Sequence, residues 1–202
     1  MRDESSDGGA SHDSLSPEVF EPLLQGRFGR PYTFLERCES TQQELPPDAP
    51  EGAVVVAEQQ TAGRGRLGRP WLAATGTSLL FSVNLRPSVP THRLPELSIV
   101  AGLSCAEAIR GVTGLIPDIK LPNDLLVNSR KLAGILAEAR DDRVVLGIGI
   151  NVNVPKEDLP TAVDREPTSL LAELGAPVDR AALLAAVLLE LERRYDAWNF
   201  PP

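Results

Sequence analysis

Apolar residues recur along the chain with two periods, and the change of period separates strands from helices. Short β-branched and apolar runs predict strands at roughly 32–36, 53–58, 78–85, 118–121, 124–127, 132–139 and 143–150. From Asp179 to Trp198 the period becomes helical: Leu184, Val187, Leu188, Leu191, Tyr195 and Trp198 fall on one stripe, with Asp179 as the N-cap. Leu94 to Val112 reads as a second helix, with Pro95 in its first turn. Its small residues (Ala101, Gly102, Ser104, Cys105, Ala108) permit close packing on a sheet. Shorter helices are expected over Thr168–Leu174 and just after Glu39-Ser40-Thr41. This order predicts an α/β (α+β) fold: a mixed, largely antiparallel sheet flanked by helices on one face.

Between the second and third strands the periodicity stops. Residues 63–69 hold three glycines (Gly63, Gly65, Gly68) and three arginines (Arg64, Arg66, Arg69) in seven positions. Glycine lets a backbone approach a ligand closely, and arginine offers a fixed fork of donors to carboxylate or phosphate oxygens. The loop reads as a clamp for an anion. Gly63 to Gly68 also matches the spacing G-x-G-x-x-G, but the dinucleotide fingerprint needs a strand directly before it and a helix directly after. Here Pro70-Trp71 follows, and then a strand, so that reading fails on context.

Two further stretches carry polar residues at the corners of apolar runs. In Lys120 to Ala139, Pro122-Asn123-Asp124 and Asn128-Ser129 are turn signals around a short strand, and Arg130-Lys131 opens the next. Val144 to Asn153 is nearly continuous in apolar residues, with Gly147 and Gly149 inside it and Asn151 and Asn153 at its end. Glycines inside a strand mark a close approach by another group.

These stretches together resemble the biotin–protein ligases, or biotin–acetyl-CoA-carboxylase ligases. The motifs are Gly-Arg-Gly-Arg-x-Gly-Arg-x-Trp (63–71), Lys-x-Pro-Asn-Asp (120–124), Arg-Lys-Leu-Ala-Gly-Ile-Leu (130–136), Gly-x-Gly-x-Asn (147–151) and Glu39-Ser40-Thr41. The resemblance covers roughly residues 30 to 200 and implies a catalytic domain related to class II aminoacyl-tRNA synthetases. The sequence departs from the family pattern at Leu121, where tryptophan is usual, and at Gln42, where asparagine is common. It also stops at Pro202, where many members continue into a small β-barrel.

The resemblance implies two steps: biotin and ATP give biotinyl-5′-AMP, and a carrier-protein lysine then takes the biotinyl group. It assigns Ser40, Thr41, Gln42 and Gln60 to biotin, with Arg64, Gly65 and Arg66 closing over it and its adenylate. It assigns Arg69 to the phosphates and Trp71 to adenine, with Asn123, Asp124 and Asn151 near the nucleotide. Lys131 would hold carboxyl and phosphate oxygens, and Lys120 the α-phosphate and the incoming amine. Lys120, Lys131 and Arg66 would be the catalytic set, Mg²⁺ would ride on the polyphosphate, and the acceptor would be a biotin carboxyl carrier protein or domain of a biotin-dependent carboxylase. A homodimer is compatible with the resemblance.

Composition narrows the remaining choices. The chain has 202 residues, 42 % hydrophobic, and a net charge of −8, so its cations are unusual for being gathered in the loop. No apolar run is long enough to span a membrane. Met1 to Ser16 is Ser/Asp/Gly-rich without a signal-peptide core, so a disordered or weakly ordered tail over 1–28, a catalytic domain over 29–202 and a cytoplasmic location are expected. His12 and His92 lack ligand company, and Cys38 and Cys105 suggest no disulfide framework, so no metal site built by side chains alone is expected. Two other functions compete. A lipoate or octanoate ligase or transferase shares the architecture without the arginine loop. A DNA-binding repressor would need a groove-binding element, and the acidic segment before the first strand offers none.

Overall fold

The computed structural model describes residues 13–161 and 165–200. Seven strands form one sheet: β1 Tyr32–Cys38, β2 Val54–Gln60, β3 Ser78–Leu85, β4 Asp118–Lys120, β5 Asp124–Val127, β6 Arg130–Arg140 and β7 Arg143–Asn151. Their spatial order is β1-β2-β3-β7-β6-β5-β4. β1 pairs with β2 in parallel and every other strand pairing is antiparallel, within the expected mixed, largely antiparallel sheet. Among the described residues the α-helices are α1 Pro17–Phe20, α2 Thr41–Glu44, α3 Leu97–Thr113, α4 Leu170–Leu174 and α5 Arg180–Asn199.

The strand period of two gives the sheet its two characters. One row across β3, β7 and β6 is Phe81, Ile148 and Ile135, which join the main core beneath α3 and α5. The neighbouring rows are Leu80, Gly149 and Gly134, and Ser82, Gly147 and Leu136. These face the other way, toward α2 and the arginine loop. The predicted α5 stripe (Leu184, Val187, Leu188, Leu191, Tyr195) is buried in the core, and Trp198 packs partly buried at its end. The Asp179 carboxylate accepts from the Ala182 N–H at 3.0 Å, as an N-cap should. α3 starts one turn later than predicted, because Thr91–Glu96, with Pro95 inside it, winds as a 3₁₀ segment. The turn expected at Asn128-Ser129 has positive φ at both residues (50° and 65°), the geometry that joins two strands by two residues.

The tail expected over 1–28 is corrected from residue 13 onward; residues 1–12 lie outside the described residues. Leu15, Phe20 and Phe28 are buried in the main core. The Phe20 ring lies 4.5 Å from that of Tyr32, whose hydroxyl donates to the Leu15 carbonyl at 2.7 Å. Asp13 reaches Arg180, which also pairs with Glu58 at 2.7 Å. Polar composition hid four spaced apolar anchors, Leu15, Phe20, Leu24 and Phe28, whose burial offsets the cost of ordering the segment. Among the described residues no helix is long and apolar enough to cross a membrane.

Candidate functional site

All fourteen residues singled out from the sequence (Ser40, Thr41, Gln42, Gln60, Arg64, Gly65, Arg66, Arg69, Trp71, Lys120, Asn123, Asp124, Lys131 and Asn151) line one cavity of about 510 Å³. Its floor is the glycine-bearing face of β6 and β7. A Cβ on Gly134 would lie 2.8 Å from the Trp71 ring, one on Gly149 2.5 Å from it, and one on Gly147 2.6 Å from Gln42 Nε2. Each glycine is therefore a place where a ring or an amide lies closer to the backbone than a Cβ would allow.

One end of the cavity is neutral and hydrogen-bonding. Ser40 and Gln42, at the start of α2, are almost wholly buried, at 1 % and 3 % exposure. Gln42 Nε2 donates to the Leu136 carbonyl at 2.9 Å, which turns Oε1 the other way. That oxygen and Ser40 Oγ are buried without hydrogen-bond partners. The extra methylene relative to asparagine lets the side chain reach the β6 backbone. Thr41 is fixed by its N–H and hydroxyl, which donate to Gln60 Oε1 at 2.8 and 3.1 Å, and by Ser82 Oγ at 2.8 Å. An unpaired buried polar atom is costly, so the two orphans mark where a ligand's polar groups would fit.

The other end holds Lys131 and Asp124. Among the described residues lining the cavity, Arg64, Arg66, Arg69, Lys120, Lys131 and Arg165 are cations and Asp124 is the one acid. Asp124 Oδ1 lies 2.8 Å from Lys131 Nζ, which stands 5.6 Å from the centre of a Trp71 ring. Asp124 thus aims the Lys131 ammonium. Asn123 Nδ2 donates to the Ile135 carbonyl at 3.0 Å and pins the Pro-Asn-Asp turn to β6. Asn151 Nδ2 donates to the Thr168 carbonyl at 3.0 Å. Both amides fasten loops in this state. Leu121, at the family's usual tryptophan position, stands 61 % exposed at the rim.

The arginine loop is a small closed hairpin. Trp71 N–H donates to the Gly63 carbonyl at 2.8 Å, and Gly65 N–H to the Arg69 carbonyl at 2.6 Å. At its tip Leu67 and Gly68 have φ of 59° and 74°. Sequence reasoning missed two contributors. Arg165 comes from the segment whose backbone bonds flank Lys131, with Lys131 N–H donating to the Glu166 carbonyl and Thr168 N–H to that of Lys131, both at 2.8 Å. Glu138 holds Arg64 across the loop at 2.8 Å. Neither lies in a motif. Among the described residues no group of three or more His, Cys, Asp or Glu could hold a metal ion.

One cavity under the arginine hairpin thus brings together a glycine floor, a neutral hydrogen-bonding pocket and a group of cations. The chain belongs to the biotin/lipoate A/B protein ligase family, whose sequence profile matches residues 34–154. It is 41 % identical over 167 residues to the bifunctional ligase/repressor BirA of Bacillus subtilis, covering 80 % of this chain and 51 % of that one. It is 42 % identical over 154 residues to the biotin–[acetyl-CoA-carboxylase] ligase of Mycobacterium tuberculosis, covering 74 % and 56 %. Its structure resembles biotin protein ligase from Aquifex aeolicus in complex with biotin and ATP, with a TM-score of 0.76 and 35 % identity over 82 % of this chain and 70 % of that one. The chain spans about half the length of the first two curated relatives it matches, at 47 % and 51 % of each.

Proposed function

We propose that the chain is the catalytic domain of an ATP-dependent biotin–protein ligase. The observation that carries this reading is the pair of buried unpartnered atoms, Gln42 Oε1 and Ser40 Oγ, at the end away from Lys131 and Asp124. A ureido ring supplies two N–H donors and a carbonyl, which suit an amide oxygen and a hydroxyl. The dithiolane of lipoate and the alkyl end of octanoate supply neither, and would leave both atoms desolvated. The complex of the Aquifex aeolicus relative with biotin and ATP supports the same reading.

In the first step a biotin carboxylate oxygen forms a bond to the α-phosphorus of ATP, and the bond to the bridging oxygen breaks, releasing pyrophosphate. Two anions must meet, so the catalytic demand is electrostatic and positional. Lys131, aimed by Asp124, sits to hold carboxyl and phosphate oxygens together. Lys120 neutralises the α-phosphate, and Arg66 and Arg69 close over the adenylate. Trp71 supplies the aromatic wall for adenine, and Asn123 and Asn151 keep the surrounding loops in place. In the second step a lysine amine of a biotin carboxyl carrier protein or domain attacks the acyl carbon, AMP leaves, and the amine loses a proton. Mg²⁺ would neutralise the polyphosphate. Asp124, the one carboxylate among the described lining residues, is already paired with Lys131, so the side chains do not build a site for that ion and no step is assigned to it.

Pyrophosphate release from ATP, measured side by side with biotin, lipoate and octanoate, tests the reading. Release with biotin alone is the expected result. Release with lipoate or octanoate at a comparable rate would assign the chain to the lipoate branch.

A further inference from the structure

We propose that Glu138 is a positioning residue whose grip on Arg64 holds the arginine hairpin closed and so sets how long an activated intermediate is retained. The proposal rests on the adenylate-forming reading above, although the latch itself is a property of the ligand-free protein.

The hairpin is anchored on the sheet at two points. One is the Trp71 ring, lying on Gly134 and Gly149. The other is Arg64, whose Nη2 and Nη1 donate to the two oxygens of Glu138 at 2.8 and 3.5 Å. Gly134 and Glu138 lie four residues apart on β6, so they share the face of the sheet that carries the cavity. The backbone between the anchors is stiffened by the Arg64–Pro70 bridge and the Gly65-to-Arg69 bond at 2.6 Å. Fixing Arg64 therefore fixes the whole hairpin. Glu138 is itself held from the other side, by Arg140 at 2.9 Å. It is a prepared acceptor rather than a free surface carboxylate.

The partial exposure of the pair suits a lid. Arg64 is 43 % and Glu138 24 % exposed at the side chain. A pair of that kind biases an equilibrium modestly, by about two- to fivefold, without locking it. Substrates must enter and product must leave, so a stronger latch would slow turnover. Glu138 takes two of the five guanidinium donors and leaves the rest for a ligand, so it orients Arg64 instead of consuming it.

The test compares wild type with Glu138→Gln, Glu138→Ala and Glu138→Asp in the full chain. Amide exchange over residues 61–72 is measured without ligand, and release of preformed biotinyl-adenylate by rapid filtration. The Gln and Ala variants should exchange these amides and lose adenylate about two- to fivefold faster, with an unchanged melting temperature. Their KM for biotin should rise while the pyrophosphate burst keeps its rate. The Asp variant should recover part of the effect, and high salt should reproduce it in wild type. Loop exchange and adenylate release at wild-type rates in Glu138→Gln would overturn the latch, as would a lowered melting temperature with exchange faster throughout the sheet. If wild type releases no pyrophosphate with biotin, the functional reading fails, and the ligand-free exchange still decides the latch.

Discussion

Ile148 and Gly149 are consecutive residues of β7, yet they belong to regions built on opposite principles. Ile148 points beneath α3 and α5, where its row is filled by Phe81 and Ile135. Gly149 points into the cavity, where its neighbour across β6 is Gly134 and the space above both is taken by Trp71. One face stabilises the domain by burying apolar area; the other leaves room for a cavity because side chains are missing from it. A single period-two strand thus carries core and cavity at once, and a shift of register by one residue would destroy both.

Substituting the two neighbours should break the molecule in different ways. Ile148→Ala empties core volume and should cost about 2–5 kcal/mol of stability, read as a lowered denaturation midpoint. Gly149→Ala puts a Cβ 2.5 Å from the Trp71 ring, which anchors the hairpin and contributes nothing to the main core. The ligand-free melting temperature should change little, while biotin affinity falls by an order of magnitude or more. A large stability loss in Gly149→Ala with unchanged binding would dissolve the distinction between the faces.

Within the functional face the two lysines sharpen the comparison. Lys131→Ala removes the partner of Asp124 and leaves a carboxylate facing the anionic substrates. It should weaken biotin binding and lower the rate of pyrophosphate release by about 10²–10³-fold. Lys120→Ala should lower the rate with little change in biotin affinity. Equal losses of biotin affinity in the two variants would contradict this division.

A smaller effect concerns the core face and alkali. Burial pushes the Cys105 thiol up to about 12 from the ordinary 9.0. Its pKa is raised on folding, so its contribution to stability is complete below pH 9 and is lost as pH rises from there toward 12. Cys105→Ala should remove about 1.4 kcal/mol of alkaline destabilisation per pH unit in that window, seen as a shallower fall in melting temperature. Parallel profiles for variant and wild type would show that the thiol does not titrate with unfolding.

Legibility followed the same division. Strands and α5 could be read because period-two and period-3.6 burial repeat over many residues, and the cavity because twelve of the fourteen expected residues sit in compact motifs. The Asn128-Ser129 turn was legible from residue type, since asparagine tolerates positive φ. The N-terminal segment was not, because its four anchors are spread through a polar composition that suggests a tail. Glu138 was not, because its partner Arg64 is 74 positions away and nothing local distinguishes one acid on an eleven-residue strand. The orphan Gln42 Oε1 also needed coordinates: which end of an amide is spent follows from where the Leu136 carbonyl lies.

On the proposed function, the glycine-floored face reads a ureido ring at its neutral end. Calorimetric titration of the ligand-free protein with biotin, dethiobiotin and lipoate tests it most directly, because dethiobiotin keeps the ureido ring and lipoate lacks it. Saturable binding of biotin and dethiobiotin, with none for lipoate, is the expected result. Lipoate binding as tightly as biotin, or dethiobiotin failing to bind, would contradict it.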